Sequence, residues 1–168
     1  MERIEDSARA QAKVFQDMQE IISKVRRLSA RDMKDVSEGI EQLREIRSSV
    51  YEDLNQIQHE YLLLRGLAWL LANGFDSKIE KWEWNPRQTG SVDEPDLRGS
   101  LGDKTLVSAE ASTSEYPKGQ VDTRMQETLE KLSHMDGEKF YFVSTVEMAN
   151  RAKTKTRKGN WSIKVVGV

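Results

Sequence analysis

Val36, Ile40, Leu43, Val50, Leu54, Ile57, Tyr61 and Leu64 fall on a three-four spacing, broken only at Arg47 and flanked by charged residues. A seam of this kind belongs to a helix that packs along its length against another helix. It predicts a helix from about Ala30 to about Asn73, roughly 65 Å long at ~1.5 Å per residue. Most globular helices are far shorter. A first helix precedes it, with Ile4, Val14, Met18, Ile21, Val25 and Leu28 on the same spacing. Ser29 is the expected cap of the second helix, with Asp32 three places on as its partner. Two arrangements satisfy the seam: a helical hairpin within one chain, or a coiled coil between chains. A four-helix dimer combines them.

The long helix is expected to end at Asn73-Gly74-Phe75, with Gly74 as a left-handed cap residue. The pattern then changes to strands. Lys78–Trp84 alternates, with Ile79 opposite in phase to Trp82 and Trp84. Asn85-Pro86 and Thr89-Gly90-Ser91 read as a turn, Val92–Leu97 as a second strand, and Gly99 to Asp103 as another turn. Lys104–Ser112 reads as a third strand and Pro117-Lys118-Gly119 as a break. Val121–Met135 has Met125, Leu129 and Leu132 on one helical face. Phe140–Thr145 reads as a strand, Glu147–Lys158 as a helix and Trp161–Val168 as a last strand. A meander followed by a crossover helix predicts an α/β fold with a mixed sheet and helices on both faces.

Other signals narrow the class. The chain has 168 residues, a net charge of −2 and no cysteine, which excludes disulfides and thiolate metal sites and fits a reducing compartment. No apolar stretch reaches the length of a membrane span, and the first residues lack the order of a signal peptide. A cytoplasmic location is the expectation. His59 and His134 are isolated in sequence, and no phosphate-binding glycine loop, nucleophilic serine motif or dinucleotide fingerprint is present.

Two carboxylates stand out. Asp96 follows Pro95 in the predicted strand Val92–Leu97, and Glu110 lies fourteen positions later inside the next one. A carboxylate in an apolar strand is costly unless something pairs with it. On neighbouring antiparallel strands the two side chains come close if their residues pair and face the same way. Leu106, Ser108 and Glu110 share one face of that strand and Val107, Ala109 and Ala111 the other, so Glu110 fits an exposed edge as well as a buried site.

With a preceding helix, Val92-Asp93-Glu94-Pro95-Asp96 carrying a proline-aspartate pair on the second strand, and Glu110-Ala111-Ser112 on the third, the chain resembles the PD-(D/E)XK, restriction-endonuclease-like superfamily from about residue 57 onward. The resemblance implies a helical coiled-coil or hairpin arm over residues 1–56 and a nuclease-like α/β domain over 57–168. It implies that Asp96 and Glu110 bind Mg2+ or Mn2+, that Glu60 on the preceding helix is a third ligand, and that the metal activates water against a DNA phosphodiester. The family places a lysine two residues after the glutamate, and Ser112 stands there instead. Ser112 or Lys118 is expected to position water, and Lys118, Arg124 or Lys131 to supply the missing cation. The alternative is a catalytically inactive nuclease-fold module that binds nucleic acid or a protein and oligomerises through its helices. A third reading joins an oligomerising arm to an unrelated ligand-binding unit.

The C-terminal region carries Arg151, Lys153, Lys155, Arg157 and Lys158, with no acid after Glu147. A local basic run points to phosphate contacts; a solvated helix end gives the same pattern. Trp82, Trp84 and Trp161 offer stacking surfaces, though core packing is the expectation for at least two of them. The polar loop from Ser112 to Gly119 presents hydroxyls and backbone N–H groups beside the carboxylates. The partners expected are DNA and a second copy of the chain, as a homodimer or higher oligomer, and no membrane.

Overall fold

The computed structural model describes residues 1–86 and 93–168. The expected turn at Thr89-Gly90-Ser91 and the expected strand start at Val92 lie outside the described residues. The elements run β1 (Glu2–Ile4), α1 (Ser7–Ser29), α2 (Val36–Leu70), β2 (Lys81–Trp84), β3 (Leu97–Leu101), β4 (Lys104–Ser112), α3 (Gln120–Ser133), β5 (Glu138–Val143), α4 (Val146–Lys158) and β6 (Ile163–Gly167). The six strands form one open mixed sheet in sequence order. β1 to β4 pair antiparallel, and β4, β5 and β6 pair parallel through the α3 and α4 crossovers.

The long seam is a helical hairpin within the chain. α1 folds back on α2, tied by Lys24 Nζ donating to the Ser49 carbonyl at 2.6 Å and by an Arg31–Glu45 ion pair at 2.7 Å. The cap of α2 is Asp35 rather than Ser29: its carboxylate accepts from Glu38 N, while Ser29 ends α1. The chain opens with a short edge strand rather than with helix, and Ile4 pairs with Trp82.

α2 changes character along its length. Its first part is largely exposed, but Leu62, Leu63, Leu64, Leu67 and Leu70 are buried. An apolar run on almost every side of a helix is a buried helix. This end lies across one face of the sheet, on Val107, Ala109, Phe140 and Phe142. α2 is continuous through the 56/57 boundary. It ends in a wide turn, Leu71–Phe75, where Gly74 takes the expected positive φ of 86°. α3 and α4 cover the opposite face with Met125, Leu129, Leu132, Met148 and Ala152 against Tyr141 and Val143.

The second strand of the meander starts later than the sequence predicts. It is Leu97–Leu101, not Val92–Leu97. Pro95 has no N–H for a ladder, so pairing begins beyond it. Gly99 is a strand residue, not a turn residue. A side chain there would collide with the Trp82 ring and Ile79, which lie across its backbone. Trp84 is core, Trp82 packs beside it, and Ile79 joins the same cluster because it precedes the strand. Trp161 packs with the α3–α4 cluster.

Gly137 shapes the turn into β5. Its φ is +77°, and a Cβ would fall on the Leu106 carbonyl group of β4. Gly137→Ala is expected to lower stability by roughly 1–3 kcal/mol, from a left-handed backbone and a backbone collision together. Urea midpoints of the two proteins test this, and equal midpoints would refute it.

Candidate functional site

The register of β3 and β4 places Leu97 across from Ala109 and Arg98 across from Ser108. One step further brings Asp96 level with Glu110, at the point where the chain enters β3. There the Asp96 carbonyl still accepts from Asn85 N at 2.8 Å. Its carboxylate fills the end of the ladder, and Oδ2 accepts the Ala111 N–H at 2.9 Å. The Asp96 carboxylate is near enough for its charge to act on the Glu110 carboxyl. The two strand carboxylates therefore converge.

Both are buried, and Glu110 is only 5% exposed. β4 is not an edge strand: β5 pairs along its other side and α3 covers the Glu110 face. Burial, then the Asp96 charge, pushes the Glu110 carboxyl up to about 8, against the opposing Lys131 ammonium. Lys131 Nζ lies 2.6 Å from Glu110 Oε1. This ion contact is not aligned as a hydrogen bond, and the same ammonium donates to the Glu94 carbonyl at 3.4 Å. Among the cations considered from sequence, Lys131 is the one at the carboxylates. Lys118 is exposed in the loop, with Nζ 5.9 Å from the Tyr116 ring centroid, and Arg124 is exposed on α3.

His59 reaches the pair from the opposite face. Its Nε2 lies 3.1 Å from Asp96 Oδ2, and its buried Nδ1 has no hydrogen-bond partner among the described residues. Its isolation in sequence concealed this, since its partner is 37 residues away. Glu60, the neighbouring α2 residue, is also buried and receives hydrogen bonds from Lys13 Nζ at 3.1 Å and Gln56 Nε2 at 3.4 Å. Burial works against the Lys13 ammonium, but its hydrogen bonds to Asp17 and Glu60 hold it above the ordinary lysine value.

Ser112 ends β4, with its hydroxyl near the Tyr141 ring. Tyr141 pairs with Glu110 in the parallel register, and burial pushes its hydroxyl up to about 12, helped by the Glu110 and Asp96 charges and opposed by Ser112. The result is a continuous polar cluster of His59, Asp96, Glu110, Lys131, Tyr141 and Ser112, running through the sheet from α2 to α3.

The donor set has oxygen ligands of the kind hard divalent cations take. Magnesium commonly uses one or two carboxylates and completes its shell with water and substrate phosphate. Asp96 and Glu110 fit that pattern, and Glu110 Oε1 is buried without an aligned hydrogen bond. Among the described residues, no group of three or more His, Asp or Glu side chains is arranged around a common metal position.

The basic residues of α4 divide. Arg151 grips Asp122 of α3 with two hydrogen bonds of 2.7 and 2.8 Å, and Lys155 adds a third at 3.2 Å. Arg151, against a small cost of burial and aided by Lys155, holds the Asp122 carboxyl well below the usual carboxylate range. Lys153, Arg157 and Lys158 are exposed. Among the described residues, no helix is long and apolar enough to cross a membrane.

No protein-family model, no curated protein and no solved structure matches this chain.

The Glu110 carboxyl carries a pH signature. Its folded value lies above its ordinary 4.5, so the folded state holds the proton over a range where the unfolded chain has lost it. Its stabilising contribution is complete below about pH 4.5 and is lost as pH rises through about 8. In metal-free buffer, Glu110→Gln is expected to gain melting temperature relative to the unsubstituted protein between pH 5 and pH 9. Parallel melting curves across that range would rule this out.

Proposed function

We propose that the chain is a PD-(D/E)XK-like nuclease with a restriction-endonuclease-like fold that hydrolyses DNA phosphodiesters with Mg2+ or Mn2+. The observation that carries this reading is the meeting of Asp96 and Glu110 at the β3–β4 junction with the Lys131 ammonium on Glu110. Asp96 and Glu110 would hold the ion, which would supply a polarised water and take up charge developing on the phosphate. Lys131, reaching in from α3, takes the place of the cation that Ser112 lacks: it neutralises Glu110 and offers a donor to a phosphate oxygen. His59 orients Asp96 through Oδ2. Ser112, at the mouth of the cluster, donates to or accepts from the attacking water. Lys153, Arg157 and Lys158 supply phosphate contacts away from the reacting bond.

Cleavage of plasmid and oligonucleotide DNA with Mg2+ or Mn2+ tests the reading. Asp96→Asn, Glu110→Gln and Lys131→Met are each expected to lower the rate about a hundredfold or more. Cleavage by all three at the unsubstituted rate would overturn it. One observation favours the inactive-module reading instead: both carboxylates already have internal partners, His59 and Lys131. Metal-titration calorimetry separates the two, since the inactive module takes up no divalent ion at Asp96 and Glu110.

The helical arm supports assembly with a second copy. Phe15, Met18 and Ile22 on α1 and Ile40, Leu43 and Leu54 on α2 are all more than a third exposed. Large exposed apolar patches mark interaction surfaces, and helices of this kind bury such residues by pairing. Sedimentation is expected to give a dimer, shifted to monomer by Leu43→Glu with helix content unchanged. A monomeric unsubstituted protein would exclude assembly through the arm.

A further inference from the structure

A cavity of about 400 Å³ opens beside the carboxylate cluster, between α2 and the loop that follows β4. Its size falls in the range of small-molecule sites, ~300–1,000 Å³. It lies at the carboxyl ends of the parallel strands β4 and β5: Thr113 of its wall follows Ser112, and Ser144 follows Val143. Ligands of open α/β sheets bind at that end of the strands. On the α2 side the wall is the helix face formed by Gln58, Tyr61, Leu62 and Arg65, next to the face that carries His59.

The lining is specific in its chemistry. Tyr61 and Tyr116 both line the cavity and are 56% and 58% exposed, which leaves ring surface open to a ligand. Each stands beside a cation. Arg65 lies 5.9 Å from the Tyr61 ring centroid, and Lys118 Nζ lies 5.9 Å from that of Tyr116. Aromatic faces paired with cations are how proteins hold unstacked bases and their phosphates. Glu115 and Glu147 also line the cavity. Ionised carboxylates only accept hydrogen bonds, so they match an exocyclic amino group, which thymine lacks. The wall is fixed in place, because Thr145 Oγ1 caps α4 and donates to the Glu115 carbonyl at 2.8 Å.

We propose that this cavity takes one unstacked, amino-bearing nucleobase of single-stranded DNA, seated against Tyr61 and Tyr116 with Arg65 and Lys118 on the flanking phosphates. The inference rests on the nuclease reading for its biological setting and makes it more specific. The substrate has an unpaired nucleotide next to the bond to be cut, and adenine or cytosine is preferred there over thymine.

The test uses the full chain in EDTA and fluorescence anisotropy with labelled single-stranded oligo-dA, oligo-dC and oligo-dT and a blunt duplex. Oligo-dA and oligo-dC are expected to bind roughly tenfold tighter than oligo-dT or duplex. Tyr61→Leu and Tyr116→Leu are each expected to weaken that binding roughly tenfold, the scale of one lost stacking partner. Tyr51→Leu, an exposed tyrosine on the helical arm away from the cavity, serves as the control and is expected to bind like the unsubstituted protein. Glu115→Gln with Glu147→Gln is expected to level oligo-dC with oligo-dT. Equal binding of duplex and single strands, or tyrosine variants that bind like the unsubstituted protein, would overturn the proposal. Metal-dependent cleavage that ignores pairing and both tyrosines leaves the nuclease reading standing and removes the cavity from it. Base-selective binding without cleavage under any divalent metal does the reverse.

Discussion

Two carboxylates are buried side by side where β3 separates from β4, and that burial constrains the rest of the molecule. Neither strand can pay for it alone. The Ala111 N–H reaches Asp96 because β3 pairing begins only beyond Pro95, leaving the end of the ladder for a side chain. The remaining compensation comes from both layers at once. His59 arrives from the helix on one face and Lys131 from the helix on the other. Removing one partner of a buried charge pair leaves the other uncompensated, which costs more than the pair contributes. The cluster thus couples α2, the sheet and α3.

The same use of charge recurs away from the site. Glu60, held by Lys13, ties the first helix to the buried end of the second. Asp122, held by Arg151 and Lys155, ties α3 to α4 across the crossovers. A chain that is 32% charged commits several of its charges to joining elements. This changes the meaning of the basic run on α4. Two of its five cations serve the fold, and three face solvent.

Much of the architecture is legible from local patterns. Apolar spacing locates three of the four helices described, and the third strand is readable to its ends because turn signals bound it. The errors fall where a tertiary partner overrides a local signal. Gly99 looks like a turn residue until Trp82 lies across it. Ile4 fits a helical seam, but its backbone pairs with Trp82. Ser29 is a sound capping residue, yet Asp35 holds the position because the turn between the helices is longer than its composition indicates.

The site divides in the same way. The sequence by itself determined that Glu110 lies inside the strand that follows the Pro95–Asp96 pair, since proline and alternation are short-range signals; Asp96 itself stands one residue before β3. It also determined that serine, Ser112, stands two residues after Glu110. Only the tertiary structure decided that Glu110 is buried, that the helix residue at Asp96 is His59, and that the cation at Glu110 is Lys131. Each of those depends on which faces of separate elements meet. Burial of β4 requires β5 to pair alongside it and α3 to cover it, and those contacts join residues far apart in the chain. No local spacing encodes them.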